Sequence, residues 1–131
     1  MTKEELKEYN ILKIEVEQLE ERIVFWKERT TSIKSQIISD MPQGGGEGNK
    51  GLLDILVNIE EAIEKYSKKI IKLIVKTYDI EETIDSLDTV ERVLMRYRYM
   101  DNLKMYEIAR KLNYSERTVN SIHSEALQKI A

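Results

Sequence analysis

Apolar residues recur along the first third of the chain at alternating spacings of four and three. They fall at Leu12, Val16, Leu19, Ile23, Trp26, Thr30, Ile33 and Ile37, with Thr30 the only polar member. A second run repeats the pattern at Leu52, Leu56, Ile59, Ile63, Tyr66, Ile70, Leu73, Thr77, Ile80, Ile84 and Leu87. Heptads sustained over this length predict two long helices that pair along a coiled-coil-like seam. Each run covers about 35 residues, or roughly 50 Å of helix at 1.5 Å per residue. Thr2 and Glu5 have the spacing of a capping box for the first helix, which is expected to run from about Thr2 to Ser39.

Between the runs lies Met41-Pro42-Gln43-Gly44-Gly45-Gly46-Glu47-Gly48-Asn49-Lys50-Gly51. Pro42 stops a helix and the glycines release the backbone, so residues 41–51 are expected to be a loop. The loop is long enough for the second helix to fold back antiparallel on the first. Ile11, Ile14, Val24, Ile38, Leu53, Ile55, Ile71 and Ile74 fall beside the main stripes and widen the apolar face beyond what two helices can hide. Docking of the C-terminal part or self-association, with a homodimer the simplest form, is the expected consequence.

The pattern shortens after residue 88. Met105, Ile108, Ala109 and Leu112 line one face of a short helix, and Val119, Ile122, Ala126 and Leu127 line a face of another. Asn113 suits a left-handed helix end, and Ser115 can cap the helix that follows by accepting a backbone N–H. Ala109 is small where two helices must cross closely. The unit reads as a helix-turn-helix, in which the second helix enters the major groove of DNA. The expected architecture is all-α: a long antiparallel helical hairpin over residues 1–87 and a helix-turn-helix over residues 88–131.

Charge supports this division. Residues 89–131 carry eight Lys/Arg against five acids, so the whole-chain charge of −3 leaves −6 to residues 1–88. A basic module attached to an acidic one fits a nucleic-acid reader joined to a segment that does not bind nucleic acid. With no cysteine, disulfides and cysteine-based zinc sites are excluded. The charged N-terminus lacks the apolar run of a signal peptide, and no apolar segment approaches the roughly 18 residues that cross a bilayer. A cytoplasmic protein with no membrane partner is expected.

Little supports catalysis, and no cofactor or metal is expected. His123 is the only histidine. It follows Ile122 and is expected at the solvated edge of the second short helix. Neighbouring Ser121 and Ser124 complete no Ser/His/Asp set. The Glu-x-x-His spacing of di-metal bundles is absent, since Asn120 stands three residues before His123. The carboxylates Glu15, Glu17, Glu20, Glu21, Glu60, Glu61 and Glu64 fall mainly on outer heptad faces. The glycine-rich stretch is no P-loop, because Lys50 is followed by Gly51 and no strand precedes it.

From Ile84 the chain reads IDSLDTVERVLMRYRYMDNLKMYEIARKLNYSERTVNSIHSEALQKI. Leu87, the run Arg96-Tyr97-Arg98-Tyr99, Glu107-Ile108-Ala109, Ser115, Val119 and Ala126-Leu127 stand in the order found in the C-terminal region four of bacterial sigma factors, which this segment resembles. Together with the Met41-Pro42-x-Gly44-Gly45-Gly46 element, the whole layout is similar to a family of small phage and prophage proteins of low-GC Gram-positive bacteria. Their layout is that of phage late-gene transcriptional regulators of the autolysin-regulator type. The resemblance implies a sequence-specific regulator acting on duplex DNA.

Matched to region four, Glu116, Arg117 and Ser121 fall on base-reading positions. Arg117 has the donors for a bidentate contact to guanine, and Asn120 can pair with adenine. Thr118 and Ser124 lie on the same helix, whose start is Ser115. Lys104 and Tyr106, opening the preceding helix, would meet phosphates, with help from Arg92 or Arg96. Two departures stand out. Lys104 occupies a position where sigma factors usually place a Thr or Ser cap. The second helix also carries Glu116 and Glu125 against one arginine, a poor electrostatic set for a monomer. Two rival readings follow: an adaptor whose C-terminal module binds RNA polymerase or a phage protein, and a small-terminase-like DNA-packaging protein.

Overall fold

A computed structural model describes residues 1–39 and 50–131. Among them lie five α-helices: α1 (Lys3–Ser39), α2 (Lys50–Asp85), α3 (Thr89–Met95), α4 (Met105–Leu112) and α5 (Glu116–Ile130). A single π-helical turn, Arg96–Met100, continues α3. The fold is all-α, as the periodicity predicts, with no strand among the described residues. Most of the expected loop lies outside the described residues, whereas Lys50 and Gly51, its last two positions, already belong to α2.

The chain divides into two compact units, Glu15–Lys72 and Met1–Ile14 with Leu73–Ala131. In the first, α1 and α2 run antiparallel, as the ion pairs Glu15–Lys69 at 3.0 Å and Lys34–Glu60 at 3.8 Å record. Their heptad positions point inward: Ile59 and Ile70 are buried, and Val16, Leu19, Ile23, Trp26, Ile33, Ile37, Leu52, Leu56, Ile63 and Tyr66 are half-buried. Two helices cannot close over one another completely, so the flanking positions face solvent. Val24 and Leu53 are about half exposed, and Ile38 and Ile71 are more exposed than that.

The second unit is built around the short helices. The Thr2 hydroxyl accepts the Glu5 N–H at 3.2 Å, so the expected cap opens α1. Leu6, Tyr9 and Leu12 are the buried residues of this first stretch, Leu73, Ile80 and Ile84 those at the end of α2, and Leu87 is buried in the turn that follows. The Tyr9 hydroxyl donates to Glu81, which ties the two antiparallel stretches together. Burial and the Glu81 carboxylate push the Tyr9 phenol up to about 12, so it keeps its proton as a donor.

Leu94, Met95, Ile108, Val119 and Ala126 complete a core with no exposed side-chain surface, and Ala109 is 5% exposed where α4 meets α5. Closure at Ala109 matches the small residue there, since any larger side chain would separate the helices.

Candidate nucleic-acid interface

The turn between α4 and α5 is specified by three side chains. Asn113 ends α4 in the left-handed conformation at φ 61°, and the Tyr114 N–H reaches back to the Ala109 carbonyl at 3.0 Å. The Ser115 hydroxyl then accepts the Thr118 N–H at 3.1 Å and bonds the Thr118 hydroxyl at 2.8 Å. Ser115 and Thr118 therefore form the cap of α5. At the start of α4, Lys104 is extended and has no acceptor to offer as a cap. Glu107 compensates, its carboxylate accepting the Lys104 N–H at 3.3 Å.

Helix α5 has two distinct faces. Val119, His123 and Ala126 are buried, while Ile122 and Leu127 are half-buried at the edges. Glu116, Arg117, Asn120, Ser121 and Ser124 are exposed, and with Glu125 they line one shallow depression. The residues expected to read bases thus share a single solvent-facing surface. Tyr106 lines a neighbouring depression with Arg110, Asn113, Tyr114 and Glu116. Lys104 is exposed at the opening of α4 and lines neither depression.

His123 corrects the sequence expectation. It is 6% exposed, not solvated at the edge of α5, and its Nε2 lies 2.6 Å from the Tyr99 hydroxyl in a shared hydrogen bond. The two rings stack with centroids 5.8 Å apart. Apolar spacing along α5 fits inward lines through either residue 122 or residue 123. The Tyr99 hydroxyl decides for 123, because it supplies the partner that a buried imidazole requires. Burial, with the positive charges of Lys3 and Arg98, pushes the imidazole down to about 4, so it is neutral near pH 7.

The cations are distributed unevenly. Arg96 is held by Asp85 at 2.5 Å, and Arg92 lies 3.5 and 3.4 Å from the Asp85 and Leu87 carbonyls. Both are therefore turned to the joint between α2 and α3. Lys129 bridges Asp88 at 3.2 Å and Glu91 at 2.7 Å, tying the last turn of α5 to the first turn of α3. These two carboxylates hold the Lys129 ammonium above the usual lysine range.

Among the described residues Lys104, Arg110, Lys111 and Arg117 enter no ion pair. Arg110 and Lys111 extend the sequence-based set. Arg110 lies over the Tyr106 ring at 5.6 Å and Lys111 over Tyr97 at 5.6 Å. The four-residue step from Tyr106 to Arg110 was the signal that could have placed Arg110 beside it. Among the described residues, no group of three or more His, Cys, Asp or Glu side chains is arranged to hold a metal ion, and no helix is long and apolar enough to cross a membrane.

Residues 83–131 match the family model for Sigma-70, region 4. Over 108 residues, 76% of this chain and 65% of the other, the sequence is 32% identical to the candidate autolysin regulatory protein ArpU of Enterococcus hirae. Over 50 residues, 38% of this chain and 29% of the other, it is 40% identical to the RNA polymerase sigma factor TcsR of Paraclostridium sordellii. The chain thus spans less than two thirds of the length of either relative. No solved structure matches it. Its C-terminal helices, residues 83–131, form a sigma-70 region 4 domain, a helix-turn-helix of the kind that suggests DNA binding and transcription regulation.

Proposed function

We propose that this protein is a phage- or prophage-type transcriptional regulator that reads duplex DNA with α5. The observation that carries the reading is the exposed polar face of Glu116, Arg117, Asn120, Ser121 and Ser124 within a region 4 match. In the major groove Arg117 donates two hydrogen bonds to a guanine edge and Asn120 exchanges two with adenine. Glu116 accepts from a cytosine amino group, and Ser121 and Ser124 reach neighbouring edges. Ser115 and Thr118 hold the start of α5, where helix-end amides favour a phosphate. Lys104 and Tyr106 add backbone contacts that set register.

On this reading residues 88–131 are the DNA-reading module and residues 1–87 are the hairpin that assembles it. A face with two acids and one arginine gains little from phosphate charge, so a single copy binds weakly. Two copies paired through the exposed apolar positions of the hairpin would double the phosphate contacts and read two half-sites. RNA polymerase is the partner through which such a regulator would act. The phage assignment rests on the layout of the chain, and similarity to ArpU supports the regulatory reading.

The test is selection of bound duplexes from a random pool by the full chain, followed by a salt series on the recovered sequence with Arg117→Glu as control. A defined sequence whose affinity falls with salt and is lost in the variant is expected. Absence of selection at low salt, or affinity indifferent to Arg117, refutes the reading. The same two acids, Glu116 and Glu125, favour a second reading: an adaptor whose α5 face binds a basic patch on a protein partner. In that case Arg117→Glu leaves DNA out of play and strengthens the protein contact.

A further inference from the structure

The sigma-70 match begins at residue 83, yet the unit that contains α5 also contains the first fourteen residues of the chain. Leu6, Tyr9 and Leu12 are buried in it, with Leu6 wholly inaccessible. We propose that this first stretch of α1 is an integral wall of the DNA-reading module, and that Asn10, Tyr99 and His123 are positioning residues that set the orientation of α5. The proposal rests on the reading of α5 as the DNA-contacting helix, and goes beyond it by naming what orients that helix.

The geometry is a relay of two hydrogen bonds. Tyr99 lies in the π-helical turn, at the end of the α3 segment, where carbonyls run out of intrahelical partners. The Asn10 side-chain amide donates to the Tyr99 carbonyl at 2.9 Å. The Tyr99 hydroxyl meets His123 Nε2 at 2.6 Å. One residue of the turn is therefore held twice, by α1 through its backbone and by α5 through its hydroxyl.

His123 is the inward residue of the very turn of α5 whose outward residues are Asn120, Ser121 and Ser124. At about 100° per residue, Ser121 stands nearly opposite His123. Loss of the His123 anchor lets α5 roll about its axis, and that roll displaces the base-facing side chains while leaving the charges near the phosphates. Base recognition depends on position to fractions of an ångström, whereas charge attraction does not.

Two full-length variants test this, Asn10→Ala at a half-buried position and Tyr99→Phe with nearly all of the ring's volume kept, each removing one bond of the relay. Amide hydrogen exchange across α5 needs no ligand and is expected to quicken about tenfold, the equivalent of one lost hydrogen bond. With the duplex recovered by selection and a random duplex as probes, the specific-to-random affinity ratio is expected to fall about tenfold at an unchanged salt slope. A merely structural role would lower both affinities together. Unchanged α5 exchange in both variants, or an unchanged affinity ratio, overturns the proposal. If the wild-type chain selects no duplex, the DNA reading fails, and the exchange measurement alone decides whether α1 anchors α5.

Discussion

Acidification should destabilise this protein through a single imidazole. His123 titrates near 6.5 in an unfolded chain and is pushed down to about 4 in the fold by burial and by the charges of Lys3 and Arg98. Between these values the unfolded chain binds a proton that the folded one refuses, so stability falls as pH falls. The contribution is complete above about pH 6.5 and is lost progressively towards pH 4.

A shift of about 2.5 units corresponds to roughly 3 kcal/mol in full, of which about 2 kcal/mol is lost between pH 7 and pH 5. That is a large fraction of the net stability of a small domain. Because the chain has one histidine, its imidazole signal in proton NMR can be followed without assignment. A midpoint near 4 is expected in the folded state and one near 6.5 in denaturant. Urea unfolding at several pH values should show His123→Gln losing less stability than the parent on acidification, since both share every carboxylate. A folded-state midpoint near 6.5, or parallel pH profiles for the two proteins, would refute the burial argument.

Three further outcomes are expected. Ser115→Ala should cost about 1 kcal/mol in chemical denaturation, because the Thr118 N–H loses its acceptor. Gly51→Ala should raise stability by up to about 1 kcal/mol in the same assay, since Gly51 is helical and a Cβ there meets nothing within 4 Å. Light scattering of the full chain should give a dimer that Leu53→Glu with Val57→Glu, both at half-exposed apolar positions of α2, converts to monomer. A monomeric parent would refute pairing through the hairpin, and a ring-sized assembly would favour the packaging-protein alternative.

The long helices were legible because their buried stripes repeat with one period for many turns, and every described heptad position faces inward or sits half-buried. The helix ends were legible for a different reason. Thr2, Asn113 and Ser115 act on backbone groups only a few residues away, so their chemistry is local. His123 was misread because polarity alone assigns an imidazole to solvent, and its partner lies twenty-four residues away on another element. The packing of Leu6 and Asn10 into the C-terminal module left no local trace at all, because it joins residues some ninety positions apart. The residues proposed to face DNA were found by the same periodicity that placed the core of α5, as its complement.

The π-helical turn has a consequence of its own. Its bonds reach one residue further than those of an α-helix, as in Asp101 N–H to the Arg96 carbonyl at 3.1 Å. Arg96–Met100 thus holds one residue more than the surrounding helical geometry would use. In that widened turn Tyr97 sits beneath Lys111, Arg98 donates to the Leu103 carbonyl and Tyr99 turns to His123. Removing a single residue here would let the turn close with ordinary α-helical geometry, and Tyr97, Arg98 and Tyr99 would no longer all keep these partners. The extra residue works as a spacer in a joint: it lets three consecutive side chains of one short turn serve three different neighbours, Lys111, the Leu103 carbonyl and His123.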